Sequence, residues 1–542
     1  MDSAPANRRP REAAPLTAHA RLERMSEPWA LSRIFAIAIT MIVAGVFGTW
    51  TASSQYEYIA IFAVWVTAGA VIVFVQDYWW APILIITALA FSTNVAGLPL
   101  TGIEMGMMIL CLALPTKMAM KTLRKAEPVM MPSVFYWLLL GYVLIHAAVI
   151  IAYNHTMGIQ LKNIVKAYYT ALTPLIFYGL VIRYCHLRTV RTTILILFFV
   201  TAWSVAFSII VMATGITIDF SDLHLAIGWL DSSLANVILR SSSPYLFIFC
   251  LAYWPAARDN FGRFFLAIGI FIGFIGTLAS GGRLTLATCF VASIFFAVVR
   301  GKLWLALPAV ALTLLVSTAI TMKPDILFNM PESIQRSLAP LNFSDQQTEI
   351  QEGLVGSDDW HKNLRDRSLT YWLSDPNSFY FGHGYKSWDT SIVTTEDLSL
   401  VDSDRLADLA IEMGLTENMF SSITNIFGLV GLILYACFLI HLGYLLYKGY
   451  RLAPAGTMAR ALCEFSLVNL STSLAFCALM GSVPGLSLIY WSLGILAARP
   501  YLAKQKALPA AAAVAQERPA FARPAYATGP LPSPPRFRPG RA

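Results

Sequence analysis

The stretch Val134-Phe-Tyr-Trp-Leu-Leu-Leu-Gly-Tyr-Val-Leu-Ile-His-Ala-Ala-Val-Ile-Ile-Ala-Tyr153 contains no Lys, Arg, Asp or Glu. A helix of about 20 apolar residues is long enough to cross the ~30 Å hydrocarbon core of a bilayer. Lipid offers no partners for backbone N–H and C=O groups, so a segment in the membrane must satisfy them internally. The stretch therefore predicts a transmembrane α-helix.

Similar apolar blocks recur along the 542-residue chain, of which 57% is hydrophobic and 13% charged. Soluble domains carry about 25% charged residues, and disordered chains combine low hydrophobicity with high charge. The composition therefore excludes both classes. It predicts an all-α polytopic membrane protein with about 14 transmembrane helices and a large periplasmic loop domain. The predicted spans are 31–50, 58–75, 82–98, 103–118, 134–153, 162–182, 192–213, 240–256, 262–280, 283–299, 303–321, 419–447, 464–481 and 484–498.

The distribution of Lys and Arg predicts the orientation of these helices, because cytoplasmic loops are enriched in both residues. We place the basic N-terminal arm, residues 1–29, in the cytoplasm. The short loops on the opposite side then carry no Lys or Arg: 51–57, 99–102, 154–161 and 214–239. This asymmetry predicts that both termini are cytoplasmic.

Polar segments divide the rest of the chain. Residues 30–321 contain the first group of predicted helices and residues 419–500 contain the last group. Between them, residues 322–418 hold more than half of the acidic residues together with many aromatic ones, which predicts a folded periplasmic cap. The tail, residues 501–542, is rich in Pro, Ala and Arg and is predicted to be a disordered cytoplasmic arm.

The net charge of +8 does not indicate nucleic-acid binding, because the basic residues are spread over short loops and tails. The 7 cysteines lie in or beside apolar blocks, so we expect neither a disulfide framework nor a metal cluster. HExxH, CxxC and P-loop patterns are absent from the sequence. We therefore expect no metal and no cofactor.

Four basic residues lie on the predicted outer side, where topology does not explain them. Arg283 follows a predicted tight turn at 280–282 and begins the next span, and exposed amides, a helix N-terminus and a guanidinium all favour a phosphate. Arg240 begins a span in the same way. Lys162 and Lys166 are four residues apart and share one helix face. The alternative for each is an anchor that reaches lipid headgroups.

The polar segment also contains candidates for acid–base chemistry. His383 lies between two glycines, where a ligand can approach the backbone closely. Glu417 directly precedes the next span, where a carboxylate is either a helix cap or a general base at the bilayer surface. Arg365 and Arg367 lie upstream of both.

Together these motifs resemble the O-antigen ligase and polymerase superfamily of polytopic inner-membrane proteins, roughly over residues 160–447. The matching features are Ser280-Gly-Gly-Arg283 before a span, Arg240 ahead of Pro244, Phe381-Gly-His-Gly-Tyr385 in a long loop, and Gly428-Leu-Val-Gly431 in the late span. Many members have His-Asn before that late span, whereas this chain has Glu417-Asn418.

The resemblance implies a metal-independent glycosyltransferase of the bacterial inner membrane. Its donor would be a glycan on undecaprenyl diphosphate, used at the periplasmic face. The residues implied to bind the diphosphate are Arg240, Arg283, Lys162 and Lys166. Glu417 or His383 would be catalytic. The residues implied to bind the glycan or acceptor are Arg365, Arg367, Tyr385 and Asn418. The implied partners are the bilayer and polysaccharide chain-length and export proteins.

The sequence is compatible with several functions. The leading one is polymerisation of lipid-linked repeat units, and transfer of finished glycan to lipid A core is the second. A transporter or flippase for lipid-linked sugar would predict charges buried midway along several spans. A non-catalytic scaffold would leave Arg240 and Arg283 without a role.

Overall fold

The fold is given by a computed structural model. It describes residues 80–81, 84, 91–95, 98–101, 104–107, 130–157, 161–215, 225–227, 232–343, 349–386, 407–408, 410–411, 416–481, 483 and 485–517.

The described chain is overwhelmingly α-helical, as predicted. The first group of helices is α1 (Val134–Thr156), α2 (Lys162–Tyr184), α3 (Leu187–Thr214), α4 (Ser232–Tyr253), α5 (Asn260–Ala279), α6 (Arg283–Val299) and α7 (Leu307–Met322). The polar segment contains α8 (Asp325–Phe328), α9 (Glu332–Leu338), α10 (Glu349–Trp372) and α11 (Pro376–Phe381). The last group is α12 (Met419–Leu452), α13 (Met458–Ala475) and α14 (Leu486–Glu517). Short 3-10 helices cover Trp254–Ala256, Leu303–Ala306 and Ala339–Leu341.

Among the described residues, 6 helices are long and apolar enough to cross a membrane: α1, α2, α3, α4, α5 and α12. Shorter apolar helices cover Arg283–Val299 and Val310–Met322. Each of these segments overlaps a predicted span. The protein is therefore a membrane protein with α-helical spans.

Within the described ranges, three short strands accompany the helices. β1 (Phe91–Val95), β2 (Leu98–Thr101) and β3 (Leu225–Ile227) form an antiparallel sheet in the order β2-β1-β3. β1 occupies the end of the predicted span 82–98, so a continuous helix there is wrong. The stretch Phe91-Ser-Thr-Asn-Val95 combines aromatic and β-branched residues with polar ones and leads into Ala96-Gly97, a composition suited to a strand and a tight turn.

Other predicted boundaries also change. α4 begins at Ser232 rather than at 240, so Arg240 lies inside the helix and does not begin it as predicted. α13 begins at Met458 rather than 464, because the Thr457 side chain caps it by accepting the Arg460 N–H, and it ends at Ala475 rather than 481. α14 continues to Glu517, past the predicted start of the tail at 501. The predicted spans 31–50 and 58–75 lie outside the described residues, as does most of 103–118.

Among the described residues, the two largest buried apolar clusters join most of the helices. One connects α2, α3, α4, α6, α13 and α14 through residues such as Phe177, Ile248 and Phe465. The other connects α1, α2, α12 and α14 through residues such as Leu139, Phe438 and Trp491. The opposite face of α1 exposes large apolar side chains, among them Ile145 at 67%. One buried stripe and one exposed apolar face suit a helix that packs on protein and faces lipid.

Helix α12 is broken at Gly428, where φ is 65° and ψ is −168°. The break leaves backbone carbonyls without helical partners. The His383 N–H donates to the Asn425 carbonyl at 2.7 Å, and the Gly384 N–H donates to the Ile426 carbonyl at 3.1 Å. A broken helix is tolerated in a membrane protein where neighbouring groups replace the lost hydrogen bonds. The Gly-His-Gly element therefore packs directly on the broken span.

Candidate functional site

The site is built on the turn between α5 and α6. Gly281 adopts φ 66°, which lets the chain reverse direction. The Ser280 hydroxyl donates to the Thr277 carbonyl at 2.7 Å and accepts the Gly282 N–H at 3.2 Å. Arg283 is then the first residue of α6. The turn predicted from the sequence is present and places a guanidinium at the N-terminus of an apolar helix.

Arg240 reaches the same turn from α4. Its Nε donates to the Ser280 carbonyl at 3.3 Å. One turn further along α4, Ser243 packs against Gly276 of α5, where no Cβ would fit. This small-residue contact lets α4 and α5 approach closely and brings Arg240 to the turn.

A third guanidinium, which the sequence analysis missed, lies nearby on α9. Arg336 is close enough to Arg240 for their positive charges to repel. α9 packs against the same turn, because the Ser337 hydroxyl donates to the Leu278 carbonyl at 2.9 Å. Arg336 belongs to no recognisable motif, so only the packing of α9 reveals it.

Arg283 forms a two-pronged ion pair with Asp358 of α10. The Nη1–Oδ2 distance is 2.8 Å and the Nη2–Oδ1 distance is 2.5 Å. The hydrogen bonds from Arg283 lower the pKa of the Asp358 carboxyl, and smaller contributions come from His361 and Arg365 on the same helix. The pair lies partly in solvent, since the side chains are 25% and 59% exposed.

His361 lies three residues after Asp358 and therefore on the same face of α10. Its Nδ1 hydrogen-bonds to Oε2 of Glu417, which lies two residues before the start of α12. Glu417 has φ 36°, a left-handed conformation that residues with a Cβ rarely adopt. Within the described part of the chain, Nε2 of His361 makes no hydrogen bond. The sequence pattern indicates Glu417 as a candidate but not its imidazole partner.

These contacts join predicted residues from distant parts of the chain. Arg240 and Arg283 share the 280–283 turn, and α10 then connects Arg283 to Glu417 through Asp358 and His361. Arg365 is half-buried near Asp358 and contributes positive charge to it. The combination places guanidinium groups beside a carboxylate–imidazole pair.

His383 has structural contacts on both sides of its ring. Its Nε2 is 2.9 Å from the Tyr371 carbonyl, and its Nδ1 is 3.2 Å from the Ser378 hydroxyl. The ring also stacks on Tyr371 at a centroid distance of 3.8 Å. These bonds tie α10 to α11 and occupy both ring nitrogens. The geometry therefore favours Glu417 and His361 over His383 as acid–base groups.

Three other predicted site residues also make structural contacts. The Asn418 side chain caps α12 by accepting the Ser421 N–H at 2.8 Å. Arg367 Nη1 is 3.0 Å from Oδ1 of Asp408. Tyr385 packs edge-on against Tyr168 at 4.9 Å.

Lys162 is the first residue of α2, and Lys166 follows one helical turn later. The shared helix face predicted from their spacing is therefore present in the backbone. No contact in the described chain joins Lys166 to Arg240 or Arg283.

Within the described ranges, no group of three His, Cys, Asp or Glu side chains could hold a metal ion. The carboxylate and imidazole groups at the site instead pair with each other or with Arg283. Guanidinium groups are able to bind anions, and a carboxylate–imidazole pair is able to transfer protons.

No protein-family model matches this chain, and no curated protein matches it. The class that the structure itself defines is an α-helical membrane protein, with 6 described helices suited to crossing a bilayer.

Proposed function

We propose that this protein is a membrane glycosyltransferase that polymerises oligosaccharide repeat units carried on undecaprenyl diphosphate, forming exopolysaccharide or O-antigen. One observation carries the proposal: Arg240 and Arg283 meet at one turn, and α10 links that turn to the His361–Glu417 pair. A lipid diphosphate donor needs both features, an anion site and a proton acceptor.

The guanidinium groups suit the leaving group. A diphosphate carries concentrated negative charge, which grows as the glycosidic bond breaks. Arg283 offers a planar fork for phosphate oxygens and lies where the α6 dipole also favours an anion. Arg240, which contacts the same turn, and the nearby Arg336 add positive charge.

The His361–Glu417 pair suits the acceptor. In the proposed step, an acceptor hydroxyl oxygen forms a bond to the sugar anomeric carbon as the bond to the phosphate oxygen breaks. The diphosphate leaves with the electron pair, and the hydroxyl proton passes to the base. With Glu417 bound to Nδ1, the free Nε2 of His361 is placed to take that proton, and the carboxylate stabilises the resulting imidazolium. The alternative is that Glu417 itself takes the proton.

We also propose the topology around this site. Ten of the described helices, α1–α7 and α12–α14, belong to a set of about 14 spans. The 322–418 segment forms a periplasmic cap in the bacterial inner membrane, and both termini are cytoplasmic. The scarcity of Lys and Arg in the short loops at the site's end of the helices supports this orientation. Chain-length and export proteins remain the predicted partners.

A transporter of lipid-linked sugar is the second candidate, favoured by buried charges on the last helices. Glu464 is 3% exposed and Arg499 is 1% exposed. Both charges have internal partners, however. Glu464 pairs with Arg300 at 2.6 Å, and Arg499 donates to the Cys185 carbonyl at 2.8 Å. This pairing favours a structural role for both.

Reconstitution of the purified protein with a lipid-linked oligosaccharide tests the proposal. A ladder of product lengths would support polymerisation. Transfer to added lipid A core would indicate a ligase, and unchanged donor on the opposite leaflet would indicate a transporter. We expect activity to survive EDTA, and a loss that Mg²⁺ or Mn²⁺ restores would contradict the metal-independent mechanism.

A further inference from the structure

The Arg283–Asp358 pair has a consequence for any anion that binds at the turn. Both terminal nitrogens of the Arg283 guanidinium donate to Asp358. A phosphate bound by the same fork would compete for these donors. The described structure therefore already has a carboxylate where the proposed ligand would bind.

Asp358 is well suited to being displaced. Its side chain is 59% exposed, and its hydrogen bonds in the described chain all go to Arg283. A partly exposed ion pair contributes little net stability, because water solvates the separated charges well. The carboxylate can therefore rotate into solvent at low cost.

The other guanidinium groups lack such a carboxylate. Arg240 and Arg336 repel each other, and neither has an acidic partner within the described chain. Arg240 and Arg283 both lie at the 280–283 turn, so we expect a ligand with two linked phosphates to be attracted by this positive pair as well as by Arg283. That additional attraction supplies the free energy that displaces Asp358.

We propose that Asp358 is an internal competitor that occupies Arg283 until a pyrophosphate group displaces it, and that returns to Arg283 when the product leaves. This inference rests on the proposed function, because it takes the lipid diphosphate as the ligand. The freed diphosphate carries more negative charge than the glycosylated donor and would otherwise bind more tightly. Competition from Asp358 weakens that product complex and speeds its release.

The test measures binding of inorganic pyrophosphate to the purified full-length chain in detergent by calorimetry at low salt. Asp358→Asn keeps the shape of the side chain but removes its charge. We expect pyrophosphate to bind about two- to fivefold more tightly to this variant, the range that loss of an exposed pair allows. Asp359→Asn is the matched control, because Asp359 is the exposed neighbour on α10, and its affinity should equal that of the unmodified protein.

A double-variant comparison makes the test specific. In an Arg283→Ala background, adding Asp358→Asn should no longer change the affinity, because the two groups act on each other. Equal affinities of Asp358→Asn and the unmodified protein would overturn the inference. So would an equal gain in Asp359→Asn, or a gain that persists without Arg283.

Failure of the proposed function gives a different result. If pyrophosphate affinity follows the expected pattern but lipid-linked oligosaccharide is never transferred, the role of Asp358 as a competitor is supported and the enzyme proposal is contradicted. If transfer occurs and Asp358→Asn changes neither pyrophosphate affinity nor multiple-turnover rate, the enzyme proposal is supported and the role of Asp358 as a competitor is contradicted.

Discussion

Gly382 and Gly428 meet backbone to backbone. A Cβ built on Gly428 would overlap the backbone nitrogen of Gly382, and a Cβ on Gly382 would overlap the backbone around Gly428. Both residues also have positive φ, 77° and 65°. The two glycine motifs noted in the sequence are therefore two sides of one crossing, at which the segment after α11 packs on the broken α12.

Replacing either glycine at this crossing should destabilise the fold. Gly382→Ala and Gly428→Ala each force a Cβ into backbone atoms and impose an unfavourable φ, which together should cost about 2 kcal/mol or more. We expect a clear drop in the thermal unfolding temperature of the purified protein in detergent. Gly141→Ala is the control, because nothing lies within 4 Å of its added Cβ. Unchanged unfolding of the two crossing variants would contradict the close approach.

Arg283→Ala and Arg240→Ala should each reduce polymer formation about a hundredfold, the typical effect of removing one donor to a developing anion. Arg283→Lys should recover only part of the activity, because an ammonium lacks the planar fork. Polymer from reconstituted protein is resolved by gel. Arg258→Ala serves as control, since Arg258 is an exposed arginine in the loop between α4 and α5. Normal polymer formation by both site variants would contradict the proposed diphosphate-binding site.

Loss of the His361–Glu417 pair should affect turnover more than donor binding. His361→Ala and Glu417→Gln are each expected to lower the transfer rate about 10²- to 10⁴-fold, with little change in pyrophosphate affinity. His383→Ala should instead lower the unfolding temperature, because its ring joins α10 to α11. The opposite result would assign the base to His383. In that case His383→Ala would be inactive but normally stable, whereas His361→Ala and Glu417→Gln would remain active.

The contribution of the Arg283–Asp358 pair to the stability of the folded protein should decrease in strong acid. Because Arg283 lowers the pKa of Asp358 in the folded protein, the pair contributes its full stability above the ordinary carboxyl value of 3.8. That contribution is lost as the pH falls through the lowered pKa. The difference in unfolding temperature between the unmodified protein and Asp358→Asn should therefore be small but constant above pH 3.8 and should vanish in stronger acid. A difference that grows on acidification would contradict this.

Removing only one partner of the buried Arg300–Glu464 pair should strongly destabilise the protein. The Glu464 side chain is 4% exposed, and Arg300 also donates to the Leu251 carbonyl at 2.8 Å. Glu464→Leu leaves Arg300 without its carboxylate and should destabilise the protein by about 3–5 kcal/mol. Combining Glu464→Leu with Arg300→Met should restore much of that stability, as measured by denaturant unfolding. Lys302→Ala, at an exposed neighbouring position, should be neutral.

Local patterns predicted much of this fold because membrane insertion depends on properties that are local in sequence. The uncharged run from Val134 to Tyr153 is a helix because nothing in lipid can replace its own hydrogen bonds. The span predicted at 82–98 was wrong in part, since hydropathy alone does not separate a short strand from the end of an apolar helix.

The candidate site was only partly predictable for the same physical reason. Arg283 and the glycine turn are neighbours in the chain, so their spacing alone indicated an anion site. Asp358 lies 75 residues from Arg283, and His361 lies 56 residues from Glu417. No local periodicity encodes such pairs.

The sequence by itself determined a helical membrane protein with a guanidinium at the start of one span, because burial in lipid and backbone hydrogen bonding act over a few neighbouring residues. The tertiary structure decided which groups surround that guanidinium. The packing of α9 and α10 against the 280–283 turn brings Arg336, Asp358 and His361 into place, and that packing depends on contacts between segments far apart in the chain.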